Sequence, residues 1–179
     1  MNYQIIISGA GGQGVLFITR LLAEACMNDN RHVLTSETHG MAQRGGTVIS
    51  HLKVGDFKSP LIRPGSADLF VALKPENLDL HYGFLKKSGM AIVNSSEGSL
   101  TAGTNRAKAL NADFLANQDN NPGSINLYML GGAIALIPVC SIEKIKKQIE
   151  IRFVKKDKKI RAKAVMALER GFKTIVSGC

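Results

Sequence analysis

The hexapeptide Gly9-Ala10-Gly11-Gly12-Gln13-Gly14 limits what this chain can fold into more than any other stretch. It follows the apolar run Ile5-Ile6-Ile7 and opens a segment in which Val15, Ile18, Leu22 and Ala25 recur at helical spacing. That is the pattern of a strand, a turn and a helix. In such a unit Gly9 takes the tight turn after the strand, Gly11 lets backbone approach a ligand with no Cβ in the way, and Gly14 lets the helix lie close to the sheet. The helix N-terminus then offers unpaired N–H groups and a partial positive charge to a phosphate or carboxylate. Gly9, Gly11, Gly12, Gln13 and Gly14 are therefore candidate cofactor-binding residues. A G-x-G-x-x-G turn serves either a bound ligand or packing alone, and by itself this one leaves both readings open.

The rest of the chain continues the alternation. The first helix should end near Met27-Asn28-Asp29-Asn30, and a second strand is expected at His32–Ser36. Glu37 falls at the C-terminal end of that strand, where a dinucleotide fold places an acid on the ribose hydroxyls, although it comes at a longer interval than usual. Thr38–Gly46 forms a loop in which Arg44, Gly45 and Gly46 combine a fixed charge with two residues free to take φ > 0, a nest for an anion or a plain entry to the next strand. Alternation marks a strand over Thr47–Val54, and Gly55-Asp56 closes it before Lys58–Ile62 returns antiparallel. Leu69–Leu73 reads as a buried parallel strand, Pro75 starts a helix running to about Lys86 with Gly89 beyond it, and Met90–Val93 is another short strand.

Residues 95 to 123 read mainly as loop, with a helical signal only around Asn111–Ala116. Ser124 is positioned to cap an apolar helix, Ile125–Ile137, that stops at Pro138 and contains Gly131-Gly132, a pair suited to close backbone contact. Ser141 is positioned to cap a helix through about Phe153, and Asp157 starts the last helix, with Gly171 at its end. The fold class that follows is α/β: a Rossmann-like, doubly wound, mostly parallel sheet with a helical C-terminal end, in a single domain spanning 1–179.

Composition narrows the functional classes. A hydrophobic fraction of 45% and a charged fraction of 21% describe an ordinary globular chain. No apolar run approaches the roughly 18–20 residues that span a bilayer, and Met1-Asn2-Tyr3-Gln4 carries no signal-like basic flank, so a cytoplasmic protein with no membrane partner is expected. Cys26, Cys140 and Cys179 lack any C-x-x-C spacing, and none of the four histidines is paired at i, i+4, so neither an iron–sulfur cluster nor a zinc site is expected in this chain. Of the 23 Lys/Arg and 14 Asp/Glu, twelve and four lie from Glu143 onward, so nearly all of the +9 net charge belongs to the tail. A nucleic-acid or acidic-partner surface is one reading of that tail; without interleaved aromatics for base stacking, a solvated helix face is the expected one. No nucleophile with a base, carboxylate pair or metal cluster is evident, which favours a module that works with other chains.

Two stretches together carry a family resemblance. Gly9-Ala10-Gly11-Gly12-Gln13-Gly14-Val15-Leu16, followed by Ser36-Glu37-Thr38-His39-Gly40-Met41-Ala42-Gln43-Arg44-Gly45-Gly46, resembles the gamma subunit or gamma domain of the 2-oxoacid:ferredoxin oxidoreductases. Ser59-Pro60-Leu61-Ile62, Ala67-Asp68-Leu69, the Pro75-Glu76 helix start and the Asn126–Gly131 segment extend it over most of the chain. The form His39–Gly46 is most similar to the indolepyruvate-type branch. The resemblance implies an accessory subunit, inert alone, of a complex that oxidatively decarboxylates a 2-oxoacid such as pyruvate or indolepyruvate, makes an acyl-coenzyme A and passes electrons to ferredoxin. It implies thiamine diphosphate and iron–sulfur clusters on the partner subunits, and a contribution to coenzyme A binding here. Two other classes remain: a free-standing NAD(P)-binding oxidoreductase, and a regulatory or nucleic-acid-binding module.

Overall fold

The computed structural model describes residues 1–39, 46–96 and 106–178. Six strands form one mixed sheet: β1 (Tyr3–Ala10), β2 (Val33–His39), β3 (Thr47–Val54), β4 (Ala67–Ala72), β5 (Leu85–Asn94) and β6 (Ala107–Leu110). Their order is β2-β3-β1-β4-β5-β6. The run β1-β4-β5-β6 is parallel, as expected of buried apolar strands joined by helical crossovers. On its other side β1 pairs antiparallel with β3, and β3 pairs antiparallel with β2. The sheet is thus doubly wound and parallel over four strands, with a β2–β3 pair added at one edge. β3 takes the place beside β1 that β2 would hold in a fully parallel order.

The helices are α1 (Val15–Met27), α2 (Pro75–His81), α3 (Ala112–Gln118), α4 (Ile125–Leu136), α5 (Ile142–Arg152) and α6 (Lys158–Val176). Period-two alternation divides the sheet between two cores. Ile5, Ile7, Leu52, Leu69, Val71 and Ile92 face the larger one, with α1, α4 and the inner sides of α3, α5 and α6. Ile6, Ile49, Phe70, Ala91 and Val93 face a smaller one, covered by Leu78 of α2 and by Ile62. α4 is buried along Leu127–Ile134, as its all-round apolar sequence requires. It crosses α6 where Gly131 meets the Leu168 carbonyl and Gly171 meets the Tyr128 carbonyl.

Several local expectations are corrected. Lys58–Ile62 is not a strand: it is a loop from which only Ile62 is buried in the smaller core, and the Ile62 N–H donates to Nδ1 of His51 at 3.2 Å. α2 stops at His81 because Leu85 is already paired with Ala67 in the sheet, and Lys86 is drawn to the Asp68 carboxylate. Gly171 does not end α6; it lies inside that helix, where only glycine lets α4 come so near. Neither Ser124 nor Ser141 caps through its side chain, and the Ser124 hydroxyl donates instead to Asn121 Oδ1 at 3.0 Å. Asp157 does cap, accepting from the Lys159 N–H at 2.6 Å. In the stretch 95–123 the helical signal around Asn111–Ala116 is borne out by α3, while β6 is an addition: four residues with only Leu110 buried give it too little pattern to be seen. No helix among the described residues is long and apolar enough to cross a membrane.

Candidate functional site

The parallel strands β1, β4 and β5 end on the same edge, and the glycine hexapeptide leaves β1 there. Gly9 is still within β1, paired with Val48, and is not the turn residue expected of it. Its need for glycine is steric: a Cβ would lie 2.9 Å from both Gln13 Oε1 and Val15 Cγ2 and 3.1 Å from Leu73 Cβ. The turn itself is made by Gly12 at φ 93° and Gly14 at φ 80°, values that L side chains rarely adopt. Gly14 is the N-cap residue of α1, and a Cβ on it would lie 2.1 Å from Asn126 Nδ2. Its glycine therefore admits α4 rather than bringing α1 onto the sheet.

Gln13 holds the turn together. Its Oε1 accepts from the Ala10 N–H at 2.7 Å while its own N–H donates to the Ala10 carbonyl at 3.1 Å. The Gly11 N–H donates to the Gly46 carbonyl at 3.0 Å. The chain entering β3 is thereby fastened to the glycine turn, and Gly46 of the Arg44-Gly45-Gly46 motif stands beside Gly11. Arg44 and Gly45 lie outside the described residues. No side chain caps α1, and its first turn holds no acid. The N–H groups of that turn keep their donor capacity and the positive end of the helix dipole.

Against this helix end lies a cleft of about 270 Å³, lined by Gly12, Gln13, Leu73, Gly123, Ile125 and Asn126 among others. That is just below the range of ligand sites, roughly 300–1,000 Å³, so it suits a phosphate group or one part of a larger molecule. Leu73 is fixed there because its N–H continues the β4 ladder to the Ser8 carbonyl at 2.8 Å. Lys74, next in the chain and exposed, puts a cation on the same edge. A second cleft of about 360 Å³ shares Gly123 and Asn126 with the first and runs toward Phe17, Phe153 and Ile160. Asn126 was not singled out by the pattern of the sequence, although it lies in the Asn126–Gly131 stretch that resembles the family. Lys74 carried no signal beyond its place after a buried strand.

Glu37 does not join this site. It sits within β2 opposite Ser50, and its carboxylate pairs with the Arg20 guanidinium at 3.8 Å. Arg20 is six residues beyond Gly14, about 9 Å along the helix axis. The acid that would have held a ribose is thus engaged on the side of α1.

Other buried polar side chains are engaged within the fold. His51 is buried, accepts from Ile62 N–H and meets the Phe84 ring edge-on at 5.5 Å. Burial, with Lys53 and His81 nearby, holds its pKa below the ordinary imidazole value. Cys26 and Cys140 are buried, their thiols donating to the Val139 carbonyl at 3.9 Å and the Ser141 carbonyl at 3.6 Å, and the neighbouring Cys140 thiol together with burial pushes the Cys26 thiol up. Among the described residues no three His, Cys, Asp or Glu side chains gather as metal ligands.

Known proteins share this architecture. Residues 4–174 match the family described as pyruvate ferredoxin/flavodoxin oxidoreductase. The indolepyruvate oxidoreductase subunit IorB of Archaeoglobus fulgidus is 43% identical over 107 residues, 58% of this chain but only 53% of that protein's length. The protein of the same name from Methanothermobacter thermautotrophicus is 30% identical over 155 residues, 75% of this chain and 79% of its own. The crystal structure of the keto/oxoacid ferredoxin oxidoreductase gamma subunit from Geobacter sulfurreducens superposes with a TM-score of 0.82 at 28% identity, covering 98% of this chain and 99% of that one. With its glycine turn, its mixed sheet and nearly its whole length accounted for, the chain belongs to the pyruvate ferredoxin/flavodoxin oxidoreductase family.

Proposed function

We propose that this chain is the gamma-type accessory subunit of a 2-oxoacid:ferredoxin oxidoreductase, of the indolepyruvate type, and that its glycine turn holds a phosphate of coenzyme A. The observation that carries the second part is the uncapped start of α1, whose N–H donors adjoin a small cleft that no acidic side chain enters. The complex oxidatively decarboxylates the 2-oxoacid, transfers the acyl group to coenzyme A and delivers two electrons to ferredoxin. Thiamine diphosphate and the iron–sulfur clusters belong to the partner subunits, and this chain is inert by itself.

Its own residues then have limited tasks. Gln13 fixes the turn, Gly12 and Gly14 let the backbone donors face one way, and Asn126 closes the cleft from α4. Arg44, with Gly45 and Gly46, supplies a cation from the neighbouring loop, and Lys74 supplies another from the end of β4. The engagement of Glu37 by Arg20 argues against a dinucleotide, whose ribose would need that carboxylate.

The test is co-purification with its partners from the native cell, followed by an assay of 2-oxoacid-dependent and coenzyme A-dependent reduction of a low-potential acceptor. Activity by the isolated chain, or partners unrelated to oxoacid oxidation, would refute the subunit reading. Calorimetry of coenzyme A with free chain and complex addresses the site separately: an Arg44→Ala complex that binds as tightly as the wild type removes Arg44 from it.

A further inference from the structure

The corner between α5 and α6 concentrates more positive charge than the fold uses. Residues 152–163 contain seven Lys/Arg and one acid, Asp157. Arg152 is paired with Glu24, and the Lys163 ammonium donates to the Asn120 carbonyl at 2.6 Å. Asp157 is occupied by the Lys159 N–H. Lys155, Lys156, Lys158, Lys159 and Arg161 pair with no carboxylate among the described residues. Lys158, Lys159 and Arg161 stand at the start of a 19-residue helix that has no acid in its first turn. Cations there oppose the helix dipole and one another, so the arrangement gains nothing within the chain.

A solvated face would account for the charge but not for the apolar side chains in its midst. Ile151, Val154 and Ile160 are 53%, 64% and 49% exposed. Ile160 and Phe153 line the cleft of about 360 Å³ together with Phe17 and Leu127, with Lys163 at its side, whereas Lys158 and Arg161 line a separate cleft with Glu150 and Glu169. Lys155, Lys156 and Lys159 flank Phe153 and Ile160 along the chain, and cations beside a concave apolar cleft call for the complementary surface: carboxylates around one large apolar side chain.

We propose that the α5–α6 corner is a docking site for an acidic polypeptide segment, which inserts an aromatic or aliphatic side chain into the Phe17–Phe153–Ile160 cleft while its Asp and Glu meet Lys155, Lys156 and Lys159. A second copy of this chain does not fit, because residues 1–142 hold eleven Lys/Arg and ten Asp/Glu and have no acidic excess to offer. Nucleic acid fits less well: the three cations beside the cleft are all lysines, and Phe153, the corner's aromatic residue, is half-buried and turned edge-on to Phe17 at 5.9 Å. A flat bilayer would meet the charges and leave the cleft unfilled.

The proposal goes beyond the subunit assignment and can fail without affecting it. The experiment is fluorescence anisotropy on the full chain with a labelled acidic peptide carrying a central Leu-Phe pair. The same peptide with Ser-Gly in place of that pair, a labelled oligothymidine, and vesicles of phosphatidylserine serve as the comparison probes. The Leu-Phe peptide should bind about tenfold tighter than the Ser-Gly peptide, and Ile160→Ser should remove most of that difference. Lys155→Glu/Lys156→Glu/Lys159→Glu should weaken binding by about 30-fold or more, whereas Lys58→Glu/Lys108→Glu, equal in kind but elsewhere, should change it by about twofold at most. Circular dichroism of each variant establishes that the fold is kept. No binding of the Leu-Phe peptide, equal binding of the two peptides, equal effects of the two sets of charge reversals, or tighter binding of oligothymidine or vesicles would each overturn the proposal.

Discussion

The contact between α4 and α6 yields the sharpest quantitative expectation, through Gly171→Ala. A methyl group at this position would lie 1.9 Å from the Tyr128 carbonyl oxygen and 2.7–2.8 Å from the Tyr128 carbonyl carbon and Cα. All three are backbone atoms of a buried helix and cannot turn aside as a side-chain tip would. Reaching an ordinary contact of 3.4 Å means that the helices part by about 1.5 Å along that line. Overpacking of this kind costs about 1–3 kcal/mol, and the rigid neighbours put it at the upper end. Replacing a mid-helix glycine by alanine returns about 1 kcal/mol of helix propensity. The net loss is about 2 kcal/mol, which lowers Tm by about 4–8 °C in a chain of this length. Gly131→Ala, whose methyl would sit 2.0 Å from the Leu168 carbonyl, should behave alike. The double variant should lose less than the sum, because one separation serves both methyls. Thermal unfolding by circular dichroism measures this, with Gly123→Ala, where nothing lies within 4 Å, as the control. A Gly171→Ala variant as stable as wild type, or more so, would show that propensity outweighs packing and would refute the reasoning.

Other expectations concern the site and the smaller core. Gln13→Glu keeps an acceptor for the Ala10 N–H and puts a negative charge at the α1 N-terminus, so Tm should hold or rise while coenzyme A binding to the complex falls by about tenfold or more; retained binding would separate the turn from any anion. Gly14→Ala should cost about 1–2 kcal/mol from its φ of 80° plus displacement of Asn126, and Asn126→Ala in the same chain should recover only the second part, as a double-mutant cycle of denaturant unfolding would reveal. His51 and His81 both have pKa values held below the ordinary value of 6.5 by burial. The unfolded chain therefore takes up protons first on acidification, so this contribution to stability is complete above about pH 6.5 and is lost as pH falls through the lowered folded values. His51→Asn should flatten that dependence in urea titrations between pH 7 and pH 5, and an unchanged slope would exclude His51. Tyr128 donates to Asp119 at 2.6 Å, and burial with that carboxylate nearby raises its pKa to about 12. Tyr128→Phe should thus lose about 1 kcal/mol by chemical denaturation, since Asp119 keeps its Arg170 partner.

By itself the sequence determined the things that depend on neighbours along the chain. Ile5-Ile6-Ile7 before the glycines, the helical spacing from Val15 to Ala25 and the apolar run at Leu69 each specify an element through its own period. Their alternation specifies an α/β sheet, which the structure bears out. The two glycine motifs with their spacing carried the family, which the match over residues 4–174 bears out. What only the tertiary structure decided are matters of approach between distant segments. β3 reads the same whether β1 or β2 lies beside it, so its place between them follows from hydrogen-bond pairing and not from pattern. Glu37 follows the strand expected at His32–Ser36 but lies two residues inside the end of β2, and only the packing of α1 against β2 gives it to Arg20. Gly171 looked like a helix terminus because glycine often is one; the carbonyl of Tyr128, 43 residues away in sequence, makes it a contact point inside the helix. Asn126, unmarked by any period, meets the glycine turn because α4 crosses the N-terminus of α1, a convergence that exists only once both helices are packed on the same face of the sheet.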